Sequence, residues 1–446
     1  MLRRVLVASL CVLSTASSAS AAGQRSFVIE GRGWGHGVGM SQWGAEGFAL
    51  HGYGFRQILA HYYPGTQLER VHGRTVRVQL ADGLPRVEIS SRSAFRVSAD
   101  GRTRVRRAPL VVSARSGPVF VTHGGNALSV DGDAYRGELQ LFPSAGGVAV
   151  VNVVSLERYL RGVVPWEMPF RWSPQALAAQ AVAARSYALA TLHPGQRFDL
   201  FADTRDQEYG GIRAETDATN RAVGTTAGLV LSYDGRIARA YYSSTSGGQT
   251  AAGGQPYLAS VSDPYDGLSP HHRWGPLRFT AHGLALRLHV PGVRKLVPVL
   301  GGSGRIASVR VTWARGGKTL PASQVQQDLG LPSLWFWVRG TPTVGSPLSP
   351  AAAPPVSDWP LGKSGWTVVV QAVPESAGAS KAAGVAASAR RAGLPQVGTI
   401  HSDEFASLRP GYRVVFSGVY ASPAEAQTAA RAAAHAFPQA YPRRIA

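Results

Sequence analysis

Glu167 lies in the run Tyr159-Leu160-Arg161-Gly162-Val163-Val164-Pro165-Trp166-Glu167-Met168-Pro169. Trp166 and Met168 flank it, and a proline stands two residues to each side, so the backbone is stiff and the surroundings of the carboxyl are apolar. Desolvation of that kind raises a carboxyl pKa and suits a general acid. The same position also serves a helix cap or a salt-bridge partner. The next segment carries Gln180 and Tyr187 seven residues apart on one helical face, with Arg185 beside the small Ala181 and Ala184. These polar groups either line a cleft or simply face water. Two further stretches, Asp203 to Gly211 with Gln207 and Tyr209, and Tyr241 to Gly248 with Tyr242, Ser243 and Ser244, combine amide, hydroxyl and ring groups. Such groups bind sugars by hydrogen bonding and stacking, although Ser/Gly clusters also form plain loops.

Elements that could hold these groups are readable from pattern. Ser173-Pro174 predicts an N-cap and first-turn proline ahead of QALAAQAVAARSYALA, a central helix. Short alternating runs before it (TVRVQL, PVFVTH, GGVAVVNVV) and after it (LVLSYDG, ARAYYSS, RIASVRVTWA) predict antiparallel strands. The opening SFVIEG predicts a strand, and AEGFALHGYGFRQILAHYY shows helical spacing around glycines. The expected class is α+β. Residues 341–362, dense in Pro, Ser, Gly and Ala, predict a linker between a body at 22–340 and a unit at 363–446. That last unit reads strand, helix, strand, strand, helix, strand, a βαββαβ sandwich in which Ser422-Pro423 and Glu425 mark a helix start.

Composition narrows the chemistry. The single Cys is Cys11, within residues 1–21, whose Arg3-Arg4, Val5 to Leu13 apolar run and Ala19-Ser20-Ala21 read as a signal peptide. A mature chain without thiol excludes disulfides and Cys-ligated zinc, and the twelve His show no metal-ligand spacing. HExxH, Walker and GxSxG motifs are absent, so neither a metal nor another cofactor is expected. No run of about 18 apolar residues follows, so no transmembrane segment is expected. The formal charge of +20, nearly all from Arg, seeks polyanions. Export makes an exported, periplasmic or cell-wall location the expectation, with wall polymer rather than nucleic acid as the anion.

Several blocks together carry a resemblance. YLRGVVPWEMPFRWSPQALAAQAVAARSYALA, DTRDQEYGG, AVGTTAGLVLSYDGRIARAYYSSTSGG and GRGWGHGVGMSQWGAEGFALHGYGFRQILAHYYPGT resemble the signature blocks of the stage II sporulation protein D/LytB family. SGRIASVRVTW and LGLPSLWFWV extend the likeness over most of residues 26–340. The resemblance implies a lytic transglycosylase acting on peptidoglycan glycan strands stripped of stem peptides. It carries the catalytic role onto Glu167, which alone would protonate the glycosidic oxygen and then deprotonate the muramic 6-hydroxyl. Some relatives are amidase enhancers, which implies a cell-wall amidase as an alternative partner.

This chain departs from the family pattern in two ways. The GWGHGVGMSQWGA block, which normally follows the WFWV-type strand, here comes first, so the order is permuted. If the fold is kept, SFVIEG pairs beside LWFWVRG, and His36, Ser41 and Gln42 join Glu167 in one cleft. The usual SQVYGG reads Asp206-Gln207-Glu208-Tyr209-Gly210-Gly211, adding two acids that keep hydrolysis open. The metal of some relatives, with Cys among its ligands, does not carry over. The C-terminal unit resembles a SPOR domain, which implies binding to stripped glycan; its nine basic against four acidic residues suit muramic carboxylates. An RNA-recognition fold of similar topology lacks support, since the aromatic-rich central-strand signature is missing.

Overall fold

In the computed structural model, residues 26–193, 195–344, 359, 364–405 and 407–445 are described. The expected signal peptide and residues 345–358 of the expected linker lie outside them. Alternation dictates the first layer. In Thr75–Leu84, Val76 and Val78 are buried while their neighbours are not, and Gly147–Ser155 buries six of nine residues because it is central. These two strands pair antiparallel within a seven-stranded sheet that ends in the hairpin Phe95–Ala99 and Arg102–Arg106. A four-stranded sheet of Arg86–Ser90, Leu110–Ser113, Leu128–Val130 and Asp133–Tyr135 packs on it over Ile89, Phe95, Val121, Leu141 and Val150.

Two helices leave this sandwich towards the site. Leu156–Glu167 follows directly from the Gly147–Ser155 strand, and Pro174–Thr191 is the predicted central helix. The latter is alanine-rich and buried nearly all round because it separates two cores. One core contains Met40, Phe48, Ile58, Leu177 and Val182, the other Val76, Tyr159, Val163 and Ala184. Ser173 stands at the N-cap but makes no side-chain capping bond, contrary to expectation. Its own N–H instead donates to the Glu46 carboxylate at 2.8 Å, so an acid from the Gln42–Leu50 helix lies at the positive end of the central helix.

The strand at Ser26–Arg32 closes the body. Ser26–Arg32 lies between Arg273–Thr280 and Phe336–Val338, antiparallel to both, with Ile29 opposite Val338 and Gly31 opposite Phe336. SFVIEG therefore pairs beside the WFWV strand. Ile29, Leu296, Val309, Val311, Leu320 and Phe336 form the core beneath. The C-terminal unit has the predicted βαββαβ order, with strands arranged Val397–His401, Tyr412–Tyr420, Gly365–Pro374, Tyr441–Ile445. Ser422 and Glu425 form a capping box at its second helix, as read from sequence. Its cores draw on Trp359 and residues after 367 only. No helix among the described residues is long and apolar enough to cross a membrane.

Candidate active site

The Glu167 helix is fixed from its first turn. Arg185, wholly buried on the central helix, donates Nε at 2.9 Å and Nη2 at 2.7 Å to the two Glu157 oxygens, and Nη1 at 3.0 Å to the Leu229 carbonyl. Leu156, Tyr159, Leu160, Val163 and Val164 face the core. The helix runs through Pro165, whose ring costs only one bond near the last turn, and ends on Glu167.

A carboxylate at a helix C-terminus meets the negative end of the dipole. Burial is the larger effect and pushes the Glu167 carboxyl up to about 7, assisted by the Glu208 charge. The Glu208 N–H, Tyr242 and Gln42 sit against the carboxyl and pull in the opposite direction. Tyr242 is itself oriented. Gln207, buried, donates Nε2 to the Tyr242 hydroxyl at 2.7 Å and accepts from the Tyr159 hydroxyl at 3.3 Å. With its lone pair engaged, the Tyr242 hydroxyl keeps its hydrogen for Glu167.

The glycine turn brings Gln42 to this point. Met40–Ser41 pairs in parallel with Tyr242–Ser243, the Gly37 N–H donates to Ser243 Oγ at 3.2 Å, and Trp34 bridges Thr245. A side chain at Gly39, where φ is +71°, would lie 2.0 Å from the Tyr241 carbonyl. Only glycine permits this approach. Gln42 Nε2 is buried and meets no partner other than the Glu167 carboxyl it faces.

Behind the turn stands a buried acid pair that sequence reading missed. Asp266 accepts from Ser41 Oγ at 2.6 Å, Thr245 Oγ1 at 2.5 Å, the Ser246 and Gly247 N–H groups at 3.0 and 2.9 Å, and contacts His272 Nδ1 at 2.9 Å. Asp263 accepts from the Tyr62 hydroxyl at 2.9 Å and Ser246 Oγ at 2.7 Å, and burial with the Asp266 charge pushes it up to about 7. The segment Asp263 to Gly267 carries no recognisable motif, and its role emerges only where four segments converge.

The structure thus brings together Glu167, Gln42, Gln207 and Tyr242, with the Tyr187 ring 6.3 Å from that of Tyr242. His36 is exposed on the turn, and its Nδ1 accepts from the Val38 N–H at 3.0 Å. Ser244 is half-buried and offers its carbonyl to the Trp43 N–H at 3.1 Å. Five expected contact residues are instead part of the frame. Arg185 is in the core with Glu157; Tyr209 is buried and donates to Asn152 at 2.9 Å; Gln180 is fully buried with both amide atoms unpartnered; Ser41 caps the Gln42–Leu50 helix; and Ser243 is tied to Gly37. Gln207 likewise acts through Tyr242 rather than by reaching the surface. Of the two added acids, Asp206 is structural, accepting from the Phe201 N–H at 2.8 Å, whereas Glu208 is exposed beside Glu167. Trp166, expected from sequence to shelter Glu167, is instead exposed, as is Phe170, which sequence reading did not single out.

Residues 144–233 match the family model SpoIID, Stage II sporulation protein. That SpoIID segment contains Glu167, Gln180, Arg185 and Gln207, while the glycine turn lies outside it. Over 156 residues the chain is 34% identical to an uncharacterized protein of Brachyspira hyodysenteriae, covering 33% of this chain and 42% of the relative. It is 40% identical over 145 residues to the amidase enhancer of Bacillus subtilis, covering 31% and 19%. To the stage II sporulation protein D of Bacillus subtilis it is 29% identical over 226 residues, covering 44% and 63%. The chain therefore spans between 19% and 63% of the length of these curated relatives.

Proposed function

We propose that this protein is an exported lytic transglycosylase that cleaves peptide-stripped peptidoglycan strands, with Glu167 as both acid and base. The observation that carries the reading is the placement of the Glu167 carboxyl at a helix end, buried against Gln42 and Tyr242, where burial pushes it up to about 7. Near neutral pH a large fraction of such a group is protonated, so it can give its proton to the linkage and, as the carboxylate this leaves, take one back in the same turnover. Protonated Glu167 gives its hydrogen to the oxygen between N-acetylmuramic acid and N-acetylglucosamine, and the C1–O bond breaks through an oxocarbenium-like state. The muramic 6-hydroxyl then bonds to C1, and its proton returns to Glu167. The N-acetylglucosamine leaves with a free 4-hydroxyl, and the other product is a 1,6-anhydro sugar. Water is not consumed. The exposed Trp166 and Phe170 rings offer stacking faces for sugars, and the C-terminal unit, with its SPOR-like order, serves as a second glycan-binding module.

The experiment is a mass spectrum of digested peptide-free glycan. Anhydro-disaccharide products support the reading, and reducing ends refute it in favour of hydrolysis with Glu208 as second carboxylate. Glu167→Gln is expected to lower turnover by at least ~100-fold, the usual scale of general acid catalysis, while glycan binding persists. Undiminished turnover would sink the assignment. A second reading, a non-catalytic protein that stimulates a cell-wall amidase, is favoured by the name of the 40%-identical relative. Stimulated amidase with no glycan cleavage by this chain alone would select it.

A further inference from the structure

The open mouth of the β-sandwich carries charge where apolar residues belong. In the edge hairpin, Phe95, Val97 and Ala99 stand opposite Arg106, Arg104 and Arg102, so all six side chains share one face of the sheet. That face is the inner one, since Phe95 and Val97 belong to the sandwich core. The three guanidiniums therefore line the gap between this edge and the edge strand Leu110–Ser113 of the four-stranded sheet. The gap is a cavity of about 460 Å³, within the size range of small-molecule sites. Its floor includes Val97, Leu110 and Val119, and Asp100 is the one carboxylate in its wall. No ion pair reaches Arg102, Arg104 or Arg106 among the described residues. Arg106 Nε is buried without any hydrogen-bond partner.

Inward charges on an edge strand also discourage edge-to-edge pairing. That explanation covers Arg102 and Arg104, which are exposed, but not a cavity with a buried unpaired donor in its wall. Cations on an apolar floor match an anion carried on a body with an apolar face. Sugar rings present such a face of C–H groups, and Arg pairs in fork geometry with carboxylate and phosphate alike.

We propose that this mouth binds an acidic saccharide, its oxyanion held by Arg104 and Arg106 and its ring resting on Val97 and Val119. The inference is independent of Glu167 chemistry. Calorimetry on the full chain with tri-galacturonate, glucose 6-phosphate, maltotriose and inorganic phosphate tests it. Binding of at least one acidic sugar is expected, with a dissociation constant raised at least ~10-fold by the double change Arg104→Gln/Arg106→Gln and unchanged by Arg278→Gln on a distant strand. The tighter of the two acids identifies carboxylate or phosphate as the natural group. Equal affinity for maltotriose, equal affinity for inorganic phosphate alone, no binding of either acidic sugar, or binding that survives the double change would each overturn the proposal. Should the double variant not fold, phenylglyoxal modification of the unaltered protein decides. The bound acidic sugar is expected to protect Arg104 and Arg106 in a peptide map, and unchanged labelling there refutes the site.

Discussion

At the residue scale, the proposed chemistry reduces to how one proton is held on Glu167. Burial raises the carboxyl, while Tyr242, Gln42 and the Glu208 N–H restrain it at about 7. As the acid acts only when protonated, cleavage is expected to fall as pH rises through about 7. Tyr242→Phe removes one restraint, so the descending limb of the pH–rate profile should move to higher pH; a limb that stays in place or moves down contradicts the proposed contact. That Glu167 is set in sheltered surroundings could be read in part from Met168, which is buried, but not from Trp166, which is exposed; the rest of the shelter comes from Gln42, Glu208 and Tyr242, distant in sequence. The place of Arg185 was not legible, because an arginine among alanines reads equally as cleft or surface. Its burial is decided by Glu157, 28 residues away, and by carbonyls of Val223 and Leu229.

At the element scale, the site depends on two helices locked together and on a turn strapped to a strand. Removing Arg185 leaves Glu157 and the two carbonyls short of donors. Arg185→Leu is expected to cost about 3 kcal/mol, the low end for breaking a buried pair because Glu157 is 35% exposed. Chemical denaturation measures it; a loss under about 1 kcal/mol would make the pair incidental. The central helix could be read from its alanine-rich run and first-turn proline, and the βαββαβ order from alternating runs and the Ser422/Glu425 cap. The helix through Pro165 could not, since Gly162 and Pro165 argue against it locally and packing of Tyr159, Leu160 and Val163 overrides them. Gly162 itself answers to packing, as a Cβ there would lie 2.5 Å from the Tyr209 ring.

At the scale of the whole molecule, the C-terminal unit buries its own cores and touches the body through bonds such as Gln396 Nε2 to the Tyr265 hydroxyl at 2.6 Å. Ending the chain at residue 344 should therefore leave the body's unfolding midpoint nearly unchanged while weakening retention on stripped glycan more than cleavage of short soluble glycan. Equal losses in sedimentation and cleavage assays would count against a separate module. The strand at Ser26–Arg32 has a different implication. Its partners Phe336–Val338 are made some 300 residues later, so during synthesis Phe27 and Ile29 wait, apolar and unpaired, until nearly the whole body has emerged. Contacts of such long sequence separation slow folding and prolong the exposure of sticky intermediates. A protein assembled in this way gains most from a chaperone that holds its first strand until the last one arrives.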